Sequence, residues 1–173
     1  MTSPGDWADF AEMIGAASGA LTGLLFVAVS LNAGRIAQHR GLRASAAQTL
    51  VLFVTPLVAA AVLLAPGQPD RALGSELMAT GLLASWVLLS AGRRKLGLAD
   101  DDRKLIAVFD SRVSNAIVMS LYTASGICLL CDANGGLYLL LPASLVAFVS
   151  GVLNAWRFLL PPTSTHPGHR TEH

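Results

Sequence analysis

The sequence predicts an all-α integral membrane bundle of five transmembrane helices, with the N-terminus outside and the C-terminus in the cytoplasm. Three observations predict it. Hydrophobic residues make up 53% of the 173-residue chain and charged residues only 13%, a balance that a water-solvated core of this size cannot absorb. The apolar residues are gathered into five blocks of roughly 20, the length a helix needs to cross a hydrocarbon layer about 30 Å thick. The basic residues are concentrated in alternate connections between those blocks.

The first block runs from Met13 to Leu31. Asp6, Asp9 and Glu12 stand where a signal peptide would carry positive charge, and the apolar run is too long for one, so the block is read as a retained span. The second block, Ala47 to Ala65, contains Pro56, which removes the bond to the carbonyl of Leu52 and predicts a kink. Pro66-Gly67-Gln68-Pro69-Asp70-Arg71 then predicts a tight reversal into the third block, Leu73 to Ala91. Ahead of the fourth block, Val113 to Cys131, Asp100, Asp101 and Asp102 offer an N-cap and favourable charge for a helix dipole, so this helix is expected to begin before the membrane boundary. Asp132-Ala133-Asn134-Gly135-Gly136 predicts a second hairpin turn into the fifth block, Leu137 to Leu160.

The chain is thereby divided into an outer segment, residues 1–12, a transmembrane domain, residues 13–160, and a flexible cytoplasmic tail, residues 161–173. His166, His169 and His173 in that tail are read as a solvated segment in preference to a metal site. With the N-terminus outside, Arg35, Arg40, Arg43, Arg93, Arg94, Lys95, Arg103, Lys104, Arg112, Arg157 and Arg170 all fall on the cytoplasmic side, and only Arg71 falls outside. No internal repeat is visible, and five spans do not divide into two inverted halves of the kind duplicated transporters use.

Basic residues confined to short connections provide no continuous face for nucleic acid, which is excluded as a partner. Lipid is the partner that the apolar blocks require. Ten of the twelve basic residues are Arg, and Ala, Leu and Gly dominate, a composition associated with GC-rich bacterial genomes. A multi-pass location in a bacterial plasma membrane is expected.

Several features are candidates for function. Gly15, Gly19 and Gly23 recur every four residues in the first block, and on a helix Glu12, Gly19, Gly23 and Ser30 fall almost on one line. A nearly bare backbone face permits close helix approach in lipid, either within the chain or between copies. Glu12 and Glu76 are expected at one level near the outer boundary, as an outer vestibule or as first-turn acids that complement helix dipoles. Ser111, Ser114, Asn115, Tyr122 and Ser125 form a polar stripe on the fourth helix that should face protein or water, as Gln48 and Thr55 do on the second. Cys128 and Cys131 stand at the outer end of the fourth helix, where an oxidising compartment would permit a disulfide or redox pair, though both are flanked by apolar residues and no second pair exists to relay electrons. No nucleotide-binding loop, zinc-protease motif or nucleophile elbow is present, and no cofactor is implied.

The stretch Ala17-Ser18-Gly19-Ala20-Leu21-Thr22-Gly23-Leu24-Leu25-Phe26-Val27-Ala28-Val29-Ser30-Leu31-Asn32, followed by Arg35-Ile36, resembles a group of small actinobacterial membrane proteins, some labelled as modulators of a membrane protease. The resemblance covers mainly the first helix and, loosely, Thr49-Leu50-Val51-Leu52. It implies a bacterial membrane location and carries no catalytic or ligand residues. Taken together, these features lead to the expectation of a non-enzymatic, self-associating membrane protein that conducts an ion or small solute. The alternatives are a regulatory or scaffolding partner of another membrane protein and, more remotely, a membrane thiol-redox protein.

Overall fold

The computed structural model describes residues 7–93, 102–133 and 135–156, with the side chains of all of these except 40, 91–93 and 102–112. The acidic Asp6, Asp100 and Asp101, the basic Arg94, Lys95, Arg157 and Arg170, and the tail with its three histidines lie outside the described residues. Five helices are long and apolar enough to cross a membrane, over Ala8–Leu31, Gly41–Leu63, Asp70–Ser90, Val113–Leu130 and Gly136–Trp156. No strand occurs among the described residues. The molecule is an all-α protein with the character of a multi-pass membrane protein.

The elements in order are α1 (Ala8–Leu31), a short α2 (Ala33–Gln38), α3 (Arg40–Leu63), α4 (Asp70–Arg93), α5 (Asp102–Leu130) and α6 (Leu140–Trp156), with a 3-10 turn over Gly136–Leu139 leading into α6. All five expected spans are present. The α2 segment was not anticipated, because six residues are too few to show a helical period. It arises where Asn32 closes α1, its Nδ2 donating to the Ala28 carbonyl at 2.9 Å, and where His39 adopts an extended backbone before α3. α5 is already helical at Asp102, well ahead of the apolar span that opens at Val113. Its 29 residues make a rod about 43 Å long, well beyond the 18-residue apolar span it contains.

Two local expectations are refined. Pro56 is buried inside an α3 that continues through it without a break, and the preceding Thr55 hydroxyl donates to the Val51 carbonyl at 2.7 Å. The hairpin turns form where Gly67 (φ +71°), Asp132 (φ 53°) and Gly135 (φ +98°) supply left-handed backbone, which glycine adopts freely and aspartate tolerates. Arg71 and Asp132 bring these two turns together across 3.8 Å, but both side chains are too exposed for the pair to add much stability.

α4 and α6 each pack against both α3 and α5, so α3 to α6 close into a four-helix ring. α1 lies outside that ring, packed mainly on α3. Burial follows this arrangement: half of the α3 span is buried against 17% of the α1 span. At the end carrying the hairpin turns, called here the hairpin end, Trp7 stacks edge-on against Phe10 and Tyr138 with centroids 5.4 and 4.9 Å apart, tying the start of α1 to the turn before α6.

The tightest seam in the ring joins α4 to α5 at glycines. A Cβ placed on Gly126 would lie 2.5 Å from the Met78 amide nitrogen and 2.6 Å from the Gly74 carbonyl oxygen. One on Gly81 would lie 2.9 Å from the Thr123 nitrogen. These are backbone atoms and cannot swing aside. Gly126→Ala is therefore expected to destabilise the protein by about 1–3 kcal/mol, against an intrinsic helix preference of about 1 kcal/mol in favour of alanine. Gly34→Ala, at a helical glycine with open space around it, should be neutral or stabilising. Reversible unfolding in mixed micelles measures both, and an unaffected Gly126→Ala would mean that the two helices are not in backbone contact.

Candidate functional site

At the opposite end of the ring, near Arg43 and the start of α3, three helices contribute polar side chains to one half-open cleft of about 370 Å³. α3 supplies Gln48 and Leu52, α5 supplies Ser114 and Asn115, and α6 supplies Leu145, Val146, Val149, Ser150, Leu153 and Asn154. The arrangement follows from the helical register. Gln48 and Leu52 are four residues apart, and Val146, Ser150 and Asn154 recur at the same spacing, so each set forms one face of its helix. The cleft combines apolar walls with two hydroxyls and three carboxamides, and no charged side chain lines it among the described residues.

One wall is held by a polar clamp between α3 and α6. Asn154 donates from Nδ2 to the Ser45 carbonyl at 3.1 Å and to the Thr49 hydroxyl, while its Oδ1 accepts from the Ser45 hydroxyl at 3.4 Å. Thr49 donates onward to the Ser45 carbonyl at 3.0 Å. Asn154 is 6% exposed, so its polar atoms are kept out of lipid by bonding to the neighbouring helix. Gly151, on the same helix, faces the ring of Phe53 so closely that any side chain there would collide with it. The clamp and this contact together fix the distance between α3 and α6.

The anticipated polar stripe of α5 is divided by the fold. Ser114 and Asn115 reach the cleft. Tyr122 and Ser125, two and three turns further on, are fully buried inside the ring, and the Tyr122 hydroxyl pairs with the Ser144 hydroxyl of α6 at 3.0 Å. This is a helix-to-helix fastening. Ser111 belongs to α5, but its side chain lies outside those described.

Glu12 and Glu76 share the hairpin end without being joined by a hydrogen bond. Glu12 is exposed on α1, whereas Glu76 is half-buried and its Oε2 accepts from Gln68 Nε2 at 3.0 Å, bracing the turn between α3 and α4. The other amide atom of Gln68, Oε1, is buried and unpartnered. Cys128 and Cys131 are free thiols, the first half-buried and the second exposed. Gly136 packs against Cys128, with a substituent Cβ falling 2.8 Å from the cysteine's own. No group of three His, Cys, Asp or Glu suited to a metal occurs among the described residues.

The glycine line of α1 is distributed unequally. Gly15 approaches the Ala60 methyl of α3, where an added Cβ would sit at 3.2 Å. Gly19 and Gly23 meet nothing within 4 Å. Beyond Gly15 the face is open, since Glu12, Gly19, Gly23, Phe26 and Ser30 are all exposed. Packing within the chain therefore accounts for Gly15 alone. Sequence reasoning did not single out Gly74, Gly81, Gly126 and Gly151, nor the clamp residues Ser45, Thr49 and Asn154. The clamp had a readable signal in Ser45 and Thr49 at i and i+4 and in an asparagine near the end of an apolar span.

Comparison with family models, curated proteins and solved structures returns no match to this chain.

The clamp makes a specific prediction. Asn154→Leu removes three bonds across α3 and α6, and in a membrane helix such interactions contribute about 0.6–2 kcal/mol. A loss of that size in micelle unfolding is expected. Ser45→Ala combined with Asn154→Leu should cost little more than Asn154→Leu alone, because the two act on the same contact.

Proposed function

We propose that this chain is a non-enzymatic, self-associating protein of a bacterial plasma membrane, whose copies meet through the glycine face of α1. The observation that carries the reading is the open space at Gly19 and Gly23. Elsewhere in the molecule, the buried glycines sit at contacts so close that a methyl group would collide, at Gly74, Gly81, Gly126, Gly136 and Gly151. Gly19 and Gly23 lie on the least buried span, beside Phe26 (71% exposed) and Leu24 (67% exposed). In lipid, where apolar area alone does not favour protein over acyl chains, a bare helix face of this kind associates by backbone proximity, dispersion and weak Cα–H···O contacts. The N-terminus-outside orientation of the sequence reading is retained, with the cleft then at the cytoplasmic side.

Conduction of a small solute is the mechanism we attach to this assembly. The support for it is the cleft at one end of the ring, where Gln48, Ser114, Asn115, Ser150 and Asn154 bring polar groups among apolar walls. The vestibule role for Glu12 and Glu76 has less support, because Glu76 is engaged by Gln68. A regulatory protein docking on another membrane protein would use the same α1 face.

Mass measurement in nanodiscs separates these readings. The wild type should give a defined oligomer, and Gly19→Leu, which covers the bare face without touching the ring, should shift it to monomer while the unfolding midpoint stays within ~0.5 kcal/mol of wild type. A wild-type monomer would overturn self-association and leave docking on a different protein.

A further inference from the structure

We propose that the cleft between α3, α5 and α6 is a binding site for a small uncharged amphiphile, one with an amide or hydroxyl head and a short aliphatic body. The inference rests on the geometry of a single chain and holds whether or not copies associate.

The first observation is an unsatisfied amide. Asn115 is 7% exposed, lines the cleft, and makes no hydrogen bond to another described residue. A carboxamide carries two N–H donors and an acceptor oxygen, and those of Asn115 remain accessible to a ligand. The contrast with Asn154 is direct: both are buried amides facing the same cleft, yet Asn154 is bonded to Ser45 and Thr49 of α3. Asn115 makes no bond of this kind to α3 or α6. The cleft is the space that its head group faces.

The second observation is the company it keeps. Ser114 and Ser150 add hydroxyls from α5 and α6, and neither is engaged in a hydrogen bond with a described residue. A ligand amide would pair with Asn115 through one donor and one acceptor, and the two hydroxyls can each give or receive a further bond. Leu52, Val146 and Val149 form apolar walls suited to an aliphatic body. A volume of about 370 Å³ is within the range of small-molecule sites, which combine mostly apolar linings with a few convergent polar groups.

The third observation sets the charge. No Asp, Glu, Lys or Arg lines the cleft among the described residues. The polar groups that do line it are hydroxyls and carboxamides, which pair with a neutral head group as donor and as acceptor.

The test uses the full chain in nanodiscs and hexanamide as the probe, read by saturation-transfer NMR against empty nanodiscs to remove partition into lipid. The wild type should show a saturable signal that hexanol displaces and that hexylammonium and hexanoate do not. Asn115→Leu, which keeps the bulk and removes the amide, should weaken affinity at least tenfold. Because a buried substitution can disturb folding, Val149→Trp provides a second arm. Val149 is 59% exposed, so the larger ring fills the cleft without entering the core, and it should abolish the signal while the unfolding midpoint is unchanged. A signal no greater than empty nanodiscs, an unchanged affinity in either variant, or equal displacement by hexylammonium would each overturn the proposal. None of these outcomes depends on the oligomer mass, so failure here and failure of self-association are read separately.

Discussion

The backbone-to-backbone approach of α4 and α5 at Gly74, Gly81 and Gly126 is the contact on which the rest of the bundle is built. In water, two apolar helices are driven together by the surface they hide, and many side-chain combinations will do. In lipid that drive is absent, and association depends on packing and polar contacts that acyl chains cannot imitate. At Gly126 the α4 backbone comes so near that the smallest side chain would collide with the Met78 nitrogen. With α4 and α5 fixed, the hairpin turns place α3 beside α4 and α6 beside α5, and closure of the ring then requires only that α3 meet α6. Two contacts make that closure, the Gly151 contact with Phe53 and the Asn154 clamp. Glycine and asparagine serve the same end here, by shape in one case and by hydrogen bonding in the other.

This view explains how much of the molecule was legible in its sequence. Span length and hydropathy depend on the solvent alone, so the five helices, both hairpin turns and the early start of α5 could be read directly. Which face of a helix meets a neighbour depends on residues distant in the chain. Gly15, Gly19 and Gly23 repeat within one helix and attract notice, yet only Gly15 has a partner inside the chain. Gly74 and Gly81 are seven residues apart, and Gly126 stands alone on its helix. Their importance lies in their facing each other, which no single-helix pattern contains. The polar stripe of α5 was visible as a stripe, but its division into a cleft portion at Ser114 and Asn115 and a fastening portion at Tyr122 is made by α6, through Ser144 on one side and Ser150 on the other.

Unsatisfied polar atoms in an apolar bundle differ in what they signify. Ser18 and Thr22 on α1 bury hydroxyls without a partner, but a helical Ser or Thr can rotate its side chain onto the carbonyl one turn back at small cost, as Thr49, Thr55, Thr80 and Thr123 do here. Asn115 has no equally simple remedy, since a carboxamide has two donors as well as an acceptor to satisfy. Such hydroxyls have an acceptor within reach on their own helix. The amide instead faces an open cleft, which is why the cleft and not α1 holds the stronger indication of a ligand.

The two working surfaces are carried by different parts of the chain. The cleft belongs to α3, α5 and α6, and the bare glycine face belongs to α1, whose attachment to the ring is through α3. Gly19 and Gly23 point away from the bundle, so a neighbour docking there would touch none of the helices that line the cleft except by displacing α1 along α3. The seam between α1 and α3 combines the close approach of Gly15 to Ala60 with the bulkier Ile14 and Leu25, the latter sharing a buried cluster with Phe53, so a neighbour at the glycine face leaves both the seam and the cleft in place.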